Sequence, residues 1–359
     1  MGSPMDGDGS NHWVRNPARP DQSMHGRILE ILKIAGAAVR TKVSEELRKS
    51  GTDVLSAVYK EGEDDTIYQI DRNVEEILVP ILEPFAQELG GFLLLAEGIG
   101  DPVTGLQLGV SEGKVPSWAI LIDPIDGTRG IMYNKRPAFF LAGAAPYQTD
   151  LYLSDIEVAC MTELPTSKMA FSDTLFAIRG NGARAERTNI WTAEVQTIPI
   201  KPSQSKTLEG GFGQIVRFFP PGRALLARIE DEMIGILYPD AAEGKTLVFE
   251  DQYICSGGQM YEMLMGHDRY VADIRDVLFR KMAEEGLKKG HVCHPYDICT
   301  FLIGKEAGIE FTDSFGNELD APFNLLAEVG WIGYANKDIR SKVEPVLLSK
   351  MKEYGLISS

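Results

Sequence analysis

Two aspartates follow an apolar segment directly in the sequence AILIDPIDGTRG, which covers residues 119–130. Four residues suited to a buried strand precede Asp123, and Asp126 comes three residues later. A second apolar segment, GFLLLAEG, ends in the same way at Glu97. Because ligands of open α/β sheets gather beyond the carboxyl ends of strands, we expect these three carboxylates to lie close together.

Carboxylates crowded at one place repel one another, and at least one would be driven to bind a proton. A divalent cation removes that penalty by supplying the largest local charge. The donors are all oxygens, which favours Mg²⁺ or Mn²⁺ over zinc. The carbonyl of Ile125 is a further candidate ligand, since Pro124 stiffens the turn that holds it. Gly127 and Thr128 are expected to begin a helix whose N–H groups bind phosphate.

The same Asp-x-x-Asp-Gly-Thr pattern also has a purely structural interpretation. Taken alone, it is more often a turn in which an aspartate caps the N-terminus of a helix. It does not fit a calcium EF-hand loop, in which acidic residues stand at alternate positions. The choice between a turn and a metal site therefore depends on the other motifs of the chain.

The spacing of apolar residues predicts the elements that position these side chains. Helical spacing begins at Met24, and a second helix is predicted after Asp71. A series of short apolar strands follows, including the two that end in acidic residues. Further along, helices are predicted over residues 223–237, over 257–266 and from Asp297 onward, alternating with strands in α/β style.

This organisation predicts three parts of the chain. Residues 1–22 are polar and rich in Gly, Pro and Asp, and we expect a disordered leader there. Residues 23–203 would form an N-terminal α+β half with most of the metal ligands. Residues 204–359 would form a C-terminal α/β half that supplies the substrate wall.

The composition is that of a soluble globular protein. The 359 residues are 44% hydrophobic and 25% charged, with a formal net charge of −16. So acidic a chain lacks the basic surface that nucleic acid or anionic lipid requires, and we expect neither partner. Four scattered cysteines do not indicate a disulfide framework, and the sequence contains neither a signal peptide nor an apolar run long enough to span a membrane. We therefore expect a cytoplasmic protein.

The full set of motifs resembles the inositol monophosphatase superfamily, Mg²⁺-dependent and Li⁺-sensitive phosphatases that include fructose-1,6-bisphosphatases and 3′-phosphonucleotide phosphatases. Residues 123–128, DPIDGT, match its Asp-Pro-[Ile/Leu]-Asp-Gly-Thr signature at every position. YQIDRNVEEIL is similar to a family segment that places Asp71, and LLLAEG is similar to the strand that places Glu97. HPYDICTFLIGKEAG resembles the second signature and places Asp297. In order and spacing the resemblance covers residues 28–335.

The resemblance implies an α/β (α+β) fold, the layered αβαβα sandwich of the sugar-phosphatase superfamily. It also implies two Mg²⁺ ions, with a third site left open and with Mn²⁺ as a substitute. The first ion would be held by Glu97, Asp123 and the carbonyl of Ile125. The second would be held by Asp123, Asp126 and Asp297, so that Asp123 bridges both.

The resemblance assigns catalytic roles as well. Asp71 with Thr128 would orient the attacking water, and Glu97 is counted with them because it holds the first metal. The N–H groups of Gly127 and Thr128 would bind phosphate oxygens. Substrate contacts are expected at three positions of the C-terminal half: Ser256, Gln259 and Asp273.

The sequence departs from the family pattern in three places. Gly98 replaces the second acid of Gly-Glu-Glu, so a third metal site is in doubt. Tyr296 replaces the tryptophan of the second signature, as in the histidinol-phosphate phosphatases of the superfamily. Residues 271–296 form a longer connection than small members of the family have.

The long connection has two interpretations. Its middle, residues 278–290, has helical character and carries four basic residues, Arg280, Lys281, Lys288 and Lys289. We expect either a lid or wall that favours a substrate with a second anionic group, or a solvated surface helix that only lengthens the connection.

The expected function is Mg²⁺-dependent hydrolysis of a small phosphomonoester, in the first place a sugar or inositol phosphate, by a homodimer. Histidinol phosphate, fructose 1,6-bisphosphate and 3′-phosphonucleotides are the alternative substrates. A non-catalytic regulator that binds metal or phosphate is an alternative of another class, which Gly98 leaves open.

Overall fold

The computed structural model of the protein describes residues 22–49, 51, 55–56, 58–61, 66–242 and 244–358. The expected leader, residues 1–22, lies outside these ranges except for Gln22, at which the first helix begins. None of the described helices is long and apolar enough to cross a membrane.

The described residues of the N-terminal half contain three α-helices and ten strands. In chain order they are α1 (Gln22–Lys49), β1 (Val58–Glu61), β2 (Thr66–Tyr68), α2 (Gln69–Leu82), β3 (Phe92–Ala96), β4 (Leu106–Leu108), β5 (Trp118–Asp126), α3 (Thr128–Met132), β6 (Ala138–Pro146), β7 (Val158–Leu164), β8 (Phe171–Ile178), β9 (Ala183–Asn189) and β10 (Val195–Ile198). Strands β1 and β2 pair with each other, and the other eight form one sheet in the order β10-β9-β8-β7-β6-β5-β3-β4. Only β3 and β5 are parallel neighbours in that sheet.

The C-terminal half adds a smaller sheet. Its elements are β11 (Gly211–Ile215), α4 (Arg223–Leu237), α5 (Pro239–Ala242), β12 (Val248–Phe249), α6 (Ser256–Leu264), β13 (Asp268–Asp273), α7 (Arg275–Glu284), α8 (Phe301–Glu306), β14 (Glu310–Thr312), β15 (Trp331–Tyr334) and α9 (Lys337–Glu353). Five strands pair in the order β12-β11-β13-β15-β14. The predicted boundary at residues 203–204 falls in the segment between β10 and β11.

The described elements form five layers, which pack through three apolar cores. Helices α1 and α2 cover one face of the large sheet, and α6 and α8 lie between its other face and the small sheet. Helices α4, α7 and α9 cover the outer face of the small sheet. The implied αβαβα sandwich is therefore confirmed. Because both halves contribute side chains to the core between the sheets, the chain packs as one continuous structure.

Strand β5 positions the first two aspartates. All nine of its residues are buried because cores lie on both faces, which explains why the segment is apolar throughout instead of alternating. The sequence predicted that this strand ends at Asp123, but in the structure it extends to Asp126. Asp123 pairs with Leu141 and Asp126 with Phe139, so β5 has one extra residue in this interval. This bulge turns the end of the strand and re-aims its side chains.

Asp297 is held differently from the prediction. The sequence predicted a helix from this residue, but Asp297 lies in a 3₁₀ turn, Pro295–Ile298. The α-helix α8 begins only at Phe301.

Candidate metal and phosphate site

Three carboxylates, two of them buried and that of Asp297 half-buried, come together between the two sheets. One carboxylate oxygen from each of Asp123, Asp126 and Asp297 lies within 4.8 Å of the others. The first two lie at the end of β5, and the third comes from the 3₁₀ turn of the C-terminal half. The structure thus joins residues that are about 170 positions apart in the sequence, as the resemblance implied.

Backbone N–H groups hold each carboxylate in place. Oδ1 of Asp123 accepts a hydrogen bond from the Ile125 N–H at 3.0 Å. Asp126 accepts one from the N–H of Gly257 in the first turn of α6. Oδ2 of Asp297 accepts one from the His294 N–H at 2.5 Å. The cluster is therefore anchored to three different segments of backbone before any ligand is bound.

Burial and mutual repulsion make this cluster costly to ionise. Loss of water raises the pKa of Asp123 well above its usual value, and the neighbouring charges of Glu97, Asp126 and Asp297 raise it further. Burial and Asp297 raise the pKa of Asp126 in the same direction. Burial raises the pKa of Asp297 to about 7. A divalent cation would take the place of the bound protons, so the donor set fits a metal site of the Mg²⁺ or Mn²⁺ type.

Binding of Mg²⁺ is expected to release protons near pH 7. The raised pKa values leave protons on the carboxylates at that pH, and the cation needs ionised ligands. Titration calorimetry in buffers of different ionisation enthalpy should show release of about one proton per chain. The number should fall as the pH rises through the carboxylate pKa values, because fewer protons remain to be displaced. Buffer-independent heats at pH 7 would contradict this electrostatic account.

Glu97 and Ile125 lie in the same cavity. Glu97 follows β3 directly, and its charge is one of the causes that raise the pKa of Asp123. The carbonyl oxygen of Ile125 lies 2.9 Å from Thr128 Oγ1. The structure therefore brings both remaining candidates of the first metal site to the carboxylate cluster.

Thr128 links the cluster to Asp71. Its Oγ1 lies 2.8 Å from Asp71 Oδ1, although the two residues are 57 positions apart. Thr128 is the first residue of α3, and Gly127 before it has a φ of 98°. That left-handed conformation favours glycine, and a Cβ there would also lie 3.0 Å from Cys255 Sγ. The sequence prediction of a helix that begins at Gly-Thr is confirmed in the described structure.

Two of the three expected substrate contacts lie away from the cavity. Ser256 lines it at the start of α6. Gln259 is 0% exposed and donates to the carbonyl of Tyr253 at 3.0 Å. Asp273 is also 0% exposed, and both of its oxygens bind the guanidinium of Arg275. With its amide or carboxylate turned into the protein, neither Gln259 nor Asp273 reaches a ligand in this conformation.

An aromatic and cationic part of the cavity lining was not predicted from the sequence. It consists of Phe218, Phe219, Arg275 and His291, together with Arg129. No short motif carries these residues, since they come from four separate segments of the chain.

The long connection also differs from the lid hypothesis. Val277, Leu278 and Phe279 of α7 are buried in the core outside the small sheet. Three of its basic residues pair with carboxylates outside the cavity lining, in the ion pairs Arg280–Asp276, Lys281–Glu285 and Lys289–Glu328. The middle of the connection is therefore a packed helix, and only its two ends reach the cavity, through Arg275 and His291.

Comparison with known proteins gives a clear result for structure alone. No family model and no curated protein sequence matches the chain. Among solved structures, fructose-1,6-bisphosphatase of Leishmania major is similar with 13% identity and a TM-score of 0.61, over 93% of this chain and 100% of that one. The extragenic suppressor protein SuhB of Bartonella henselae has 15% identity and a TM-score of 0.58, over 89% and 98%. The inositol monophosphatase of Anabaena (Nostoc) sp. has 14% identity and a TM-score of 0.56, over 90% and 96%.

These likenesses extend over nearly the whole length of each solved structure. At such low sequence identity they show a shared fold. The fold implied by the sequence motifs is thus confirmed by a comparison that does not depend on those motifs.

Proposed function

We propose that the protein hydrolyses a small phosphomonoester, in the first place a sugar or inositol phosphate, with two Mg²⁺ ions as cofactors. The observation that carries this proposal is that the carboxylates of Asp123, Asp126 and Asp297 line one cavity together with Thr128, whose hydroxyl lies 2.8 Å from Asp71. The fold shared with solved inositol monophosphatase and fructose-1,6-bisphosphatase structures supports it. A cytoplasmic location and a homodimer remain predictions from the sequence.

The ligands of the two ions follow from the resemblance and the cluster. Glu97, Asp123 and the carbonyl of Ile125 would hold one ion, and Asp123, Asp126 and Asp297 the other. When bound, such ions neutralise phosphate charge and lower the pKa of a bound water. Without cations, the carboxylates lining the cavity would repel a phosphate group, so this chemistry requires metal.

Thr128 and Asp71 would orient the attacking water. The Thr128 hydroxyl can donate its one proton to the Asp71 carboxylate at 2.8 Å, which leaves its oxygen lone pairs to accept a hydrogen bond from water. The water is then held with one lone pair free to attack phosphorus. Asp71 is half-buried, and it can hold the proton that the water loses.

The start of α3 would bind the phosphate oxygens. The N–H groups in the first turn of a helix have no acceptor within the helix itself. Gly127 and Thr128 stand at that turn, directly after the metal ligands and in the same cavity. The lack of a side chain at Gly127 would let a phosphate group come close to the backbone.

A panel of phosphate esters tests the proposal. The purified protein is assayed for phosphate release in Mg²⁺ with p-nitrophenyl phosphate, inositol 1-phosphate, hexose phosphates, fructose 1,6-bisphosphate, histidinol phosphate and a 3′-phosphonucleotide. We expect Mg²⁺-dependent release from at least one ester, and loss of that release in the Asp126→Asn variant.

The panel also distinguishes the non-catalytic alternative. A protein that binds Mg²⁺ and phosphate but releases no phosphate from any ester would be a regulator, and the proposed function would be wrong. Release that Asp126→Asn leaves unchanged would place the activity at another site or in a contaminant.

A further inference from the structure

The cavity contains an arginine and aromatic wall that the proposed hydrolysis does not use. The Cζ of Arg275 lies 4.8 Å from the ring centroid of Phe218 and 5.7 Å from that of Phe219. The Cζ of Arg129 lies 5.3 Å from the ring centroid of Phe219. The Phe219 ring in turn meets the His291 ring edge-on at 5.5 Å. Two guanidiniums are thus held against one pair of rings, and both line the cavity that contains the carboxylate cluster.

Hydrogen bonds hold the guanidinium of Arg275 in place. Its side chain is buried, with the residue only 3% exposed, and its Nε and Nη2 donate to the two oxygens of Asp273 at 2.8 and 2.6 Å. Its Nη1 donates to the carbonyl of His291 at 3.0 Å. These contacts use three of the five N–H groups of the guanidinium, so one N–H remains on each Nη nitrogen. These three hydrogen bonds fix the plane of the Arg275 guanidinium, which forms a planar fork of N–H groups.

Asp273 compensates the buried positive charge of Arg275, since a buried charge needs a partner of opposite sign. The pair also explains why Asp273 does not contact a ligand directly: the arginine two residues further on takes that place. Arg129 and Arg275 bring two guanidinium groups to this wall, while Asp273 pairs with Arg275 away from the cavity lining. In an acidic protein, the wall places cationic groups beside the proposed metal site.

We propose that Arg275, oriented by Asp273 and accompanied by Arg129, binds a second anionic group of the substrate, a carboxylate or a second phosphate. A planar fork with two remaining N–H groups matches either of these groups. This inference rests on the proposed phosphatase function and narrows its substrate class to esters that carry two anionic groups. The connection between β13 and the 3₁₀ turn contributes through Arg275 at its first end, not through a basic lid.

Matched substrate pairs test this in the wild-type protein. Phosphoglycolate and ethyl phosphate differ mainly by a carboxylate, and fructose 1,6-bisphosphate and fructose 1-phosphate differ by a phosphate. We expect kcat/KM to favour the member with the extra anionic group by about 10-fold or more, as a charged hydrogen bond gives. Equal kcat/KM values within both pairs would overturn the inference, whereas turnover of p-nitrophenyl phosphate would leave the proposed function standing.

The double variant Asp273→Asn/Arg275→Gln removes the guanidinium without leaving a buried unpaired carboxylate. We expect the preference for the second anionic group to fall by about 10- to 100-fold, with ethyl phosphate turnover changed by less than about threefold. Arg280→Gln is the matched control. It removes a cation from the same connection, but the ion pair of Arg280 with Asp276 lies outside the cavity lining. The control should keep the wild-type preference.

Two results would contradict the assignment. An equal loss on all substrates would mean that Arg275 supports the reacting phosphate or Asp297 instead of a second group. An unchanged preference would exclude Arg275 as its determinant. If the double variant does not fold, Arg275→Lys keeps a positive charge beside Asp273 but lacks the fork, and it should lower the same preference.

Discussion

Replacing Asp123 by asparagine is expected to reduce kcat for phosphate release by roughly 10²-fold or more, the scale of losing one preorganised charge. Asp123 is the carboxylate that both proposed metal sites share, and it is 1% exposed at the centre of the cluster. Asparagine has almost the same shape, so the change removes the charge and one metal-binding oxygen without creating a cavity. Steady-state kinetics at saturating Mg²⁺ measures the effect.

A fold control separates this loss from unfolding. The pKa of Asp123 is raised by burial and by like charges, so a neutral amide should leave the thermal stability of the metal-free protein undiminished. Asp240→Asn is the control variant, since Asp240 forms an exposed ion pair with Lys245 and should leave kcat unchanged. Near-normal turnover by Asp123→Asn would show that the catalytic site is elsewhere.

Thr128→Val is expected to reduce kcat by about 10²-fold, at the lower end of what a proton-transfer group contributes. Valine keeps the size and the β-branching of threonine but removes the hydroxyl that lies 2.8 Å from Asp71 Oδ1. Because the hydroxyl is proposed to orient water and not the substrate, KM should change much less than kcat.

Thr128→Ser is the matched partner of that variant. It keeps the hydroxyl and removes only a methyl group, so it should retain most of the activity. If serine were as impaired as valine, the methyl contact would matter and not the hydroxyl. If valine were fully active, Thr128 and Asp71 would have no part in orienting water.

The sequence predicted those parts of the site whose residues are close together in the chain, because their relative positions follow from local structure. Residues 123–128 lie in one strand and one turn, so a short motif contains the carboxylates, the glycine and the hydroxyl together. The buried strand can be predicted because cores on both faces require apolar residues throughout. The bulge between Asp123 and Asp126 could not be predicted, since it depends on the pairing of β5 with β6.

The parts that were missed depend on which way a side chain turns or on distant packing. Gln259 lies in the same helical turn as Ser256, but its amide turns to the carbonyl of Tyr253 instead of the cavity. Arg275 looks in the sequence like one more charge in a charged connection. Its position in the cavity depends on the fold, since the end of β13 places it beside Phe218 and near Asp297 of the 3₁₀ turn.

Phosphate release by metal-stripped protein tests the central claim most directly. The protein is treated with a chelator, passed into metal-free buffer, and assayed on p-nitrophenyl phosphate and on its best substrate while Mg²⁺ is added back. We expect activity below roughly a hundredth of the restored value without metal, and recovery with Mg²⁺ or Mn²⁺. Full activity in the metal-free protein would contradict the account, because the clustered carboxylates could not then be the ligands of a required cation.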